Sequence, residues 1–590
     1  PFSKVHLQFG WAIVSSLVRG GLSLRGGHRP VAGHQISNAF VGVGVAAADD
    51  SEVDDYILDR LREAGIRHVR IDFSPGDEKK AAARLLSRLI ADELKVTLHL
   101  VQPFDDAKQM PAPEASEKWQ RFVSTTLDRF GATVEIVEAG STTNRKRWAG
   151  HSIPGFLAMW EIVWKEVRAR GLTLAGPSVT DFEPLWNIGL LALLRKRGQL
   201  PDLHTDNLFS ERCTGPERYA HKILGRRLAP WLKFNLIKKA RLLARIGIDH
   251  GAPRLFSPSA FWTLPRIERM FPDSEQKQAD YLSRYLVLCA ASGALERAWW
   301  GPLICHREGL IDEGKRPYPA LERITRYAGV RGGLADLRVR PALRVLGAFN
   351  ELVPGSQYAG RLNQGEGLEV HAFGSSTAQV HVVWTINGRA AALQDIYTDD
   401  DLRAAAFRCR NGEILPERPS LASASPLYVV WSPARTVTLN PSAALLPDVV
   451  IHCHTSERMH YYFREGDWRG IVLARDAHEA ARLLEKIHPD CIGAPMRNAS
   501  LRYARNAIWT INDPRAEGGK LVIKQPVRIS LHKKFLDRFK PSKALRSWNG
   551  TCELLRRGVS AAPPVAFFES LDSRDPMANY YVCEHVAAEC

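Results

Sequence analysis

The sequence predicts a multidomain protein: a (β/α)8 (TIM) barrel over residues 38–330, a β-sandwich over 338–432, and a basic α+β module over 460–590. Three observations lead there. A chain of 590 residues exceeds what one hydrophobic core fills. From Asn38, short β-rich runs alternate with amphipathic helical stretches through eight rounds, as βα units around a parallel sheet do. After Arg338 the texture becomes β-rich runs separated by Gly, Asn and Pro turns.

Residues 1–37 form a lead-in. The barrel strands are expected at Phe40–Val45, His68–Phe73, Val96–Val101, Val134–Ala139, Leu172–Pro177, Leu203–Leu208, Arg254–Ser259 and Ala298–Leu303. Between them lie the helices Glu52–Glu63, Lys79–Leu94, Glu114–Phe130, Gly155–Arg170, Leu185–Lys196, Ile237–Arg245 and Lys277–Ala291, with Pro319–Tyr327 as the eighth. Eight such pairs match the size of a closed barrel, roughly 250 residues or more. Leu368–Ala372, Ala378–Thr385 before Asn387-Gly388, and Leu427–Trp431 read as strands of an antiparallel sandwich. The Pro-punctuated residues 433–459 read as a linker, and the chain stops soon after a strand-like run, Tyr580–Glu584, where the expectation is an incomplete domain.

The composition, 45% hydrophobic and 24% charged, is that of a folded globular protein. The net charge of +16 is concentrated: between Cys491 and Ser560, 15 Lys and Arg face 4 Asp and Glu, a net +11. Such a face suits nucleotide phosphates or an anionic membrane surface, or is simply a solvated basic face, and no nucleic-acid partner is expected. Nine cysteines, scattered singly without a CxxC pair, favour a reducing compartment and so a cytoplasmic location, peripheral at the inner membrane. The apolar run from Trp11 to Val18 is far too short for a membrane span.

Reacting groups of such barrels sit at the C-terminal ends of the strands. Those ends offer Arg70 and Asp72, Asn144 to Trp148, Asp206, Trp262, and Trp299-Trp300. Indole faces beside polar groups suit sugar rings. The ordered set His68-Val-Arg-Ile-Asp72, Glu138-Ala-Gly-Ser-Thr-Thr-Asn144-Arg-Lys-Arg-Trp148, Gln278 to Tyr285, Trp299-Trp-Gly-Pro-Leu303 and Gly309-Leu-Ile-Asp312 resembles clan A glycoside hydrolases. The family containing β-xylosidases and α-L-iduronidases is the most similar. That resemblance implies an acid/base Glu after strand 4 and a nucleophilic Glu on strand 7, roughly 5 Å apart. Aligned on Gly140 and Asn144, the first position holds Thr142; aligned on Trp262 and Leu264, the second holds Ser259. Neither side chain stabilises an oxocarbenium-like centre as a carboxylate does, so the barrel is expected to be catalytically degenerate. Glu138 and Asp206 are the alternative acids, with Asp181, Glu183 and Glu211 also near the strand ends.

In the last module, Leu521-Val-Ile-Lys524 is a strand ending in Lys, preceded by Ala507–Ile511 across a Gly518-Gly519 turn. A basic helix Ser542–Arg557 follows, then Gly558 to Glu569 and Tyr580 to Val586. This order resembles the N-lobe of the lipopolysaccharide kinase family (Kdo/WaaP type), with no glycine-rich G-x-G-x-x-G loop visible. The resemblance implies that Lys524 binds ATP phosphates and that the backbone at Glu584 to Val586 meets the adenine. The helix position expected to hold a Glu has Asn549, with Glu553 one turn later as a substitute. ATP and Mg2+ are expected only for a full-length parent, because the catalytic Asp and the magnesium ligands lie in a C-lobe beyond the hinge. No metal is expected for the barrel, and His452, Cys453, His454 and His460 read as a packed or surface cluster.

The functional expectation is a glycan-associated envelope protein in which a non-hydrolytic barrel accompanies a kinase-like module whose parent phosphorylates a lipopolysaccharide-core or related sugar. The alternatives are an active retaining glycosidase that uses non-standard carboxylates, and a non-catalytic carbohydrate-binding scaffold.

Overall fold

The computed structural model describes residues 4–24, 27–208, 214–217, 234–314, 326–452, 458–530, 540–572, 575 and 577–586. Eight parallel strands close a barrel in chain order: β1 Val43–Val45, β2 His68–Phe73, β3 Lys95–Leu100, β4 Ile136–Ala139, β5 Leu174–Thr180, β6 Leu203–Asn207, β7 Arg254–Ala260 and β8 Arg297–Pro302. These strands are covered on both faces. One parity points into the lumen, where Ile136, Ala175, Leu203, Phe256 and Trp299 pack into a closed floor. The other parity joins the larger core shared with the helices.

The helices form where the sequence places them. In Glu52–Glu63, for example, Glu52, Asp54 and Asp55 stand in the first turn and Arg60 and Arg62 in the last, complementing the helix dipole. The expected eighth helix, Pro319–Tyr327, falls almost wholly outside the described residues. Helix Pro341–Leu352 packs between Ser274–Ala291 and the end of Glu52–Glu63. Gly347 permits that approach, since a Cβ there would lie 3.2 Å from Ala64 Cα, and Asn350 Nδ2 donates to Gly65 O at 2.8 Å.

The lead-in is structured and belongs to its neighbours. Lys4–Val18 is a helix laid on Pro184–Lys196, with Phe9 edge-on to Trp186 at 5.1 Å. His34–Gln35 pairs with Gln357–Arg361 and becomes an edge of the sandwich. That six-stranded antiparallel sheet continues through Leu368–Gly374, Gln379–Thr385, Leu427–Trp431 and Ala406–Cys409. A smaller sheet, Leu421–Ala422, Arg389–Ala392 and Val449–Val450, accompanies it. The expected linker 433–459 is therefore not a free tether, because Val449–Val450 is hydrogen-bonded to Arg389–Ala392. Sandwich and barrel meet on Ser274–Ala291. There Arg284 pairs with Glu217 at 2.6 Å, Trp384 Nε1 donates to the same carboxylate at 2.9 Å, and Arg410 pairs with Asp280.

The C-terminal module is a seven-stranded antiparallel sheet in the order Met459–Glu465, Trp468–Ala474, Pro564–Ser570, Asn579–Glu584, Lys520–Pro526, Asn506–Asn512, Arg502–Tyr503. Helix Ala477–Ile487 covers one face and Lys543–Leu555 the other, each over its own apolar cluster. The second cluster also takes in Ala390, Val449 and Ile451, so this helix is shared with the sandwich. Trp548 Nε1 donates to Val450 O at 2.8 Å, while Asn549 donates to Asp448 O and accepts from Val450 N, both at 2.8 Å.

Candidate functional site

The lumen above the apolar floor holds one cluster of charged side chains, brought together because Arg70, Asp72, His99 and Glu138 share the inward parity of β2, β3 and β4. Arg70 Nε donates to Glu138 Oε2 at 2.6 Å and Nη1 donates to Asp72 Oδ1 at 2.8 Å. His99 Nδ1 lies 2.7 Å from Arg70 Nη2 and 2.8 Å from Asp72 Oδ1. Its Nε2 faces only the Gly140 carbonyl at 2.9 Å and therefore carries a hydrogen. Ser178 donates to Glu138 Oε1. It does so because β5 slips register between Gly176 and Val179 and Ser178 takes a left-handed φ of +54°, turning its hydroxyl inward.

All four charged or imidazole groups are buried, Glu138 and His99 completely. Burial alone would raise the pKa of both carboxylates, but Arg70, then His99, hold Glu138 below the usual carboxylate range and Asp72 far below it. Burial would likewise lower Arg70, and Asp72 and Glu138 more than reverse it. The Arg70 guanidinium thus stands between two ionised carboxylates.

The two positions anticipated for catalytic carboxylates stand where expected relative to the strands. Thr142 follows β4 and takes a φ of +53°, an unusual conformation for a β-branched residue. The turn is held by Asn144, which donates to Thr180 O at 2.7 Å and accepts from Thr180 N at 2.9 Å. Asn144 is thereby committed to the backbone. Ser259, on β7, reaches toward Gly301 of β8: a Cβ built there would lie 3.2 Å from Ser259 Oγ and 3.4 Å from the Tyr327 hydroxyl. Tyr327 donates its backbone N–H to Asp72 Oδ2 at 2.8 Å. That one residue thus crosses the barrel mouth from β2 to the β7–β8 side. The cavity beside Gln102, Ser141 and His151, after β3 and β4, holds about 10 Å³, room for one water and not for a sugar ring.

Several expected sugar contacts are corrected. Asp206 has the opposite parity to Thr205: Thr205 Oγ1 accepts from Ser178 N at 2.8 Å in the lumen, whereas Asp206 Oδ2 accepts from Asn187 Nδ2 at 2.8 Å in the helix layer. Burial, with Asp181 and Glu183 adding and Asn187 opposing, holds its carboxyl well above the usual range. This carboxyl, raised by burial, therefore points away from the lumen. Trp299 is barrel floor, edge-on to Phe256 at 4.8 Å. Trp262 and Trp300 stack on each other at 6.0 Å between strands and helices, and Trp262 also meets Tyr285 at 5.6 Å. All three indoles are buried, so of the expected aromatic platforms Trp148 alone is open to a ligand. Glu211 lies outside the described residues. His99, Ser178 and Tyr327 were not anticipated; the inward parity of His99 with Thr97, and the Gly176-Pro177 break inside a strand, are the signals that point to the first two.

In the C-terminal module Lys524 lies on the sheet face under Lys543–Leu555, its Nζ 3.5 Å from Ser547 Oγ. Ser547, not Asn549 or Glu553, is the helix residue that reaches it. Asn549 is spent on Asp448 and Val450, and Glu553 is held by Arg556 at 2.7 Å and Arg557 at 2.6 Å. Among the described residues no carboxylate pairs with Lys524. The Glu584 side chain is engaged by Arg458 at 2.8 Å and Arg515 at 3.0 Å, while Val586 is exposed. His452 and His460 approach at 6.3 Å, Cys453 and His454 lie outside the described residues, and no group of three metal-binding side chains occurs among the described ones.

Arg70→Met leaves two anions buried without their cation, and removal of one partner of a buried pair costs about 3–5 kcal/mol. Denaturant unfolding of the barrel should show a loss of that size. A shift under about 1 kcal/mol would mean that the pair is not what neutralises the lumen.

No described family profile matches the chain, and no curated protein matches it. Among solved structures, a family 39 glycoside hydrolase from the gut symbiont Bacteroides cellulosilyticus WH2 is similar over 69% of this chain and 82% of its own, at 15% identity and a TM-score of 0.49. A GH30 endoxylanase from Clostridium papyrosolvens C71 is similar over 68% and 97%, at 10% identity and a TM-score of 0.44. A monomeric β-xylosidase from Caulobacter crescentus CB15 is similar over 60% and 75%, at 13% identity and a TM-score of 0.41.

Proposed function

We propose that the chain is a carbohydrate-associated protein whose barrel does not cleave glycosidic bonds, joined to a module of lipopolysaccharide-kinase type whose full-length parent phosphorylates an envelope sugar with ATP. The observation that carries the first half is the pairing of Arg70 with both Asp72 and Glu138. A general acid must hold a proton near neutral pH, whereas Arg70 holds both of these carboxyls below the usual carboxylate range. Tyr327 across the mouth and Thr142 and Ser259 at the strand ends support the same reading.

The second half rests on Lys524. It stands on a strand, half-buried beneath a helix, with a hydroxyl for its neighbour and its charge available to phosphate oxygens. The reading is supported by the order of elements in this module: strand, Lys-bearing strand, helix, strand, strand, the four strands lying in one antiparallel sheet. In this reading Lys524 holds nucleotide phosphates and the backbone from Glu584 to Val586 meets the base. Mg2+ is assigned no ligand in this chain.

A panel of aryl glycosides should give a flat trace with the wild-type protein. Release of the chromophore that Glu138→Gln abolishes would establish the active-glycosidase alternative in its place. ATP binding measured by calorimetry should weaken about tenfold or more in Lys524→Ala, the scale of a lost charge-assisted contact. Unchanged affinity would remove the nucleotide site, and glycan binding without nucleotide binding would leave the scaffold reading.

A further inference from the structure

The helix Lys4–Val18 is apolar on two sides. Val5, Phe9 and Ile13 pack inward on the barrel helices. The outward positions, spaced three and four apart, are Leu7, Trp11, Val14 and Val18, exposed by 69%, 72%, 50% and 83%. A helix that is apolar all round has a covering on each side. Among the described residues nothing covers the outer stripe, and it carries a tryptophan at its centre.

The charges around the helix say what the covering is. The helix contains no acidic residue, and Lys4 continues the outward face at its start. Alongside it runs a groove of about 710 Å³ where Arg19, Arg195, Lys196 and Arg245 are set against a single acid, Asp249. Arg245 lies 3.6 Å from Asp249, and Arg195 donates to the Asp249 carbonyl at 3.0 Å. Arg19 and Lys196 make no ion pair among the described residues. An apolar stripe edged by cations matches a layer with an apolar interior and anionic head groups. Trp is the side chain that prefers the boundary between them. A second copy laid on the same stripe would bring like charges together instead.

We propose that the outward face of Lys4–Val18 seats the protein on the surface of a membrane rich in anionic phospholipid, the stripe entering the interface and the Arg19–Lys196 groove receiving lipid phosphate. Because Val5, Phe9 and Ile13 hold the helix against the barrel, it lies in the plane of the surface. No helix among the described residues is long and apolar enough to cross a membrane.

Flotation of the full chain with vesicles tests this. It should float with phosphatidylcholine vesicles carrying about a third phosphatidylglycerol, and far less with phosphatidylcholine alone or at high salt. Trp11→Glu should lower the floated fraction about tenfold or more, and Arg19→Gln with Lys196→Gln should abolish the preference for the anionic vesicles. Trp11 is on the solvent side, so melting should be unchanged. If Trp11→Glu proves less stable, Leu7→Asn takes its place and the charge variant stands independently. No flotation with anionic vesicles, or flotation of both Trp11→Glu and the charge variant equal to that of the wild type, overturns the proposal. So does sedimentation showing a dimer that Trp11→Glu dissolves, which would assign the stripe to a second copy.

Discussion

Inside the barrel, a guanidinium with both ends of its fork occupied holds the lumen's charged layer together. Arg70 holds Glu138 through Nε and Asp72 through Nη1, and His99 closes the triangle while fixed by the Gly140 carbonyl. A buried anion is tolerable only with a cation and further donors around it. The arrangement that satisfies the two acids therefore also fixes their ionisation. It stabilises a polar layer above the apolar floor. Ser178 and the backbone N–H of Tyr327 take up further carboxylate oxygens of Glu138 and Asp72.

The remaining modules are organised around two helices, each with more than one partner. Ser274–Ala291 is buried along nearly its whole length because it serves the barrel on one side and Pro341–Leu352 and the sandwich on the other. Lys543–Leu555 does the same between the sandwich and the C-terminal sheet, through Trp548 and Asn549. The helix beside Lys524 is thus anchored from outside its own module. What the sequence reading treats as a linker is the strand that anchors it.

Much of the architecture was legible because βα alternation is a rhythm of whole segments: β2 and Glu52–Glu63 have the expected bounds, and the other barrel strands differ by one to three residues at an end. Direction was less legible. The pair Trp299-Trp300 reads as two aromatic platforms, yet a strand sends one into the floor and the other into the helix layer, and neither meets solvent. Asp206 was lost the same way, one residue from Thr205. Ser178 depends on a register slip that no count of alternation predicts, although Gly176-Pro177 marks the place. Ser547 was missed because resemblance points to the position that normally carries an acid, and here that position holds the helix to the sandwich.

The ionisation of Glu138 tests the account most directly. Unfolding free energies of the wild type and Glu138→Gln, measured from about pH 7 down to about pH 3, isolate that carboxyl through linkage. A group whose native pKa is lowered contributes its stability above its unfolded pKa of about 4.3 and loses it as pH falls through the native value. The wild-type advantage should therefore be full near neutrality and shrink on acidification. An advantage that grows as the pH falls would mean that Glu138 keeps a raised pKa and a proton to give, and the lumen would have to be read as a site for acid chemistry.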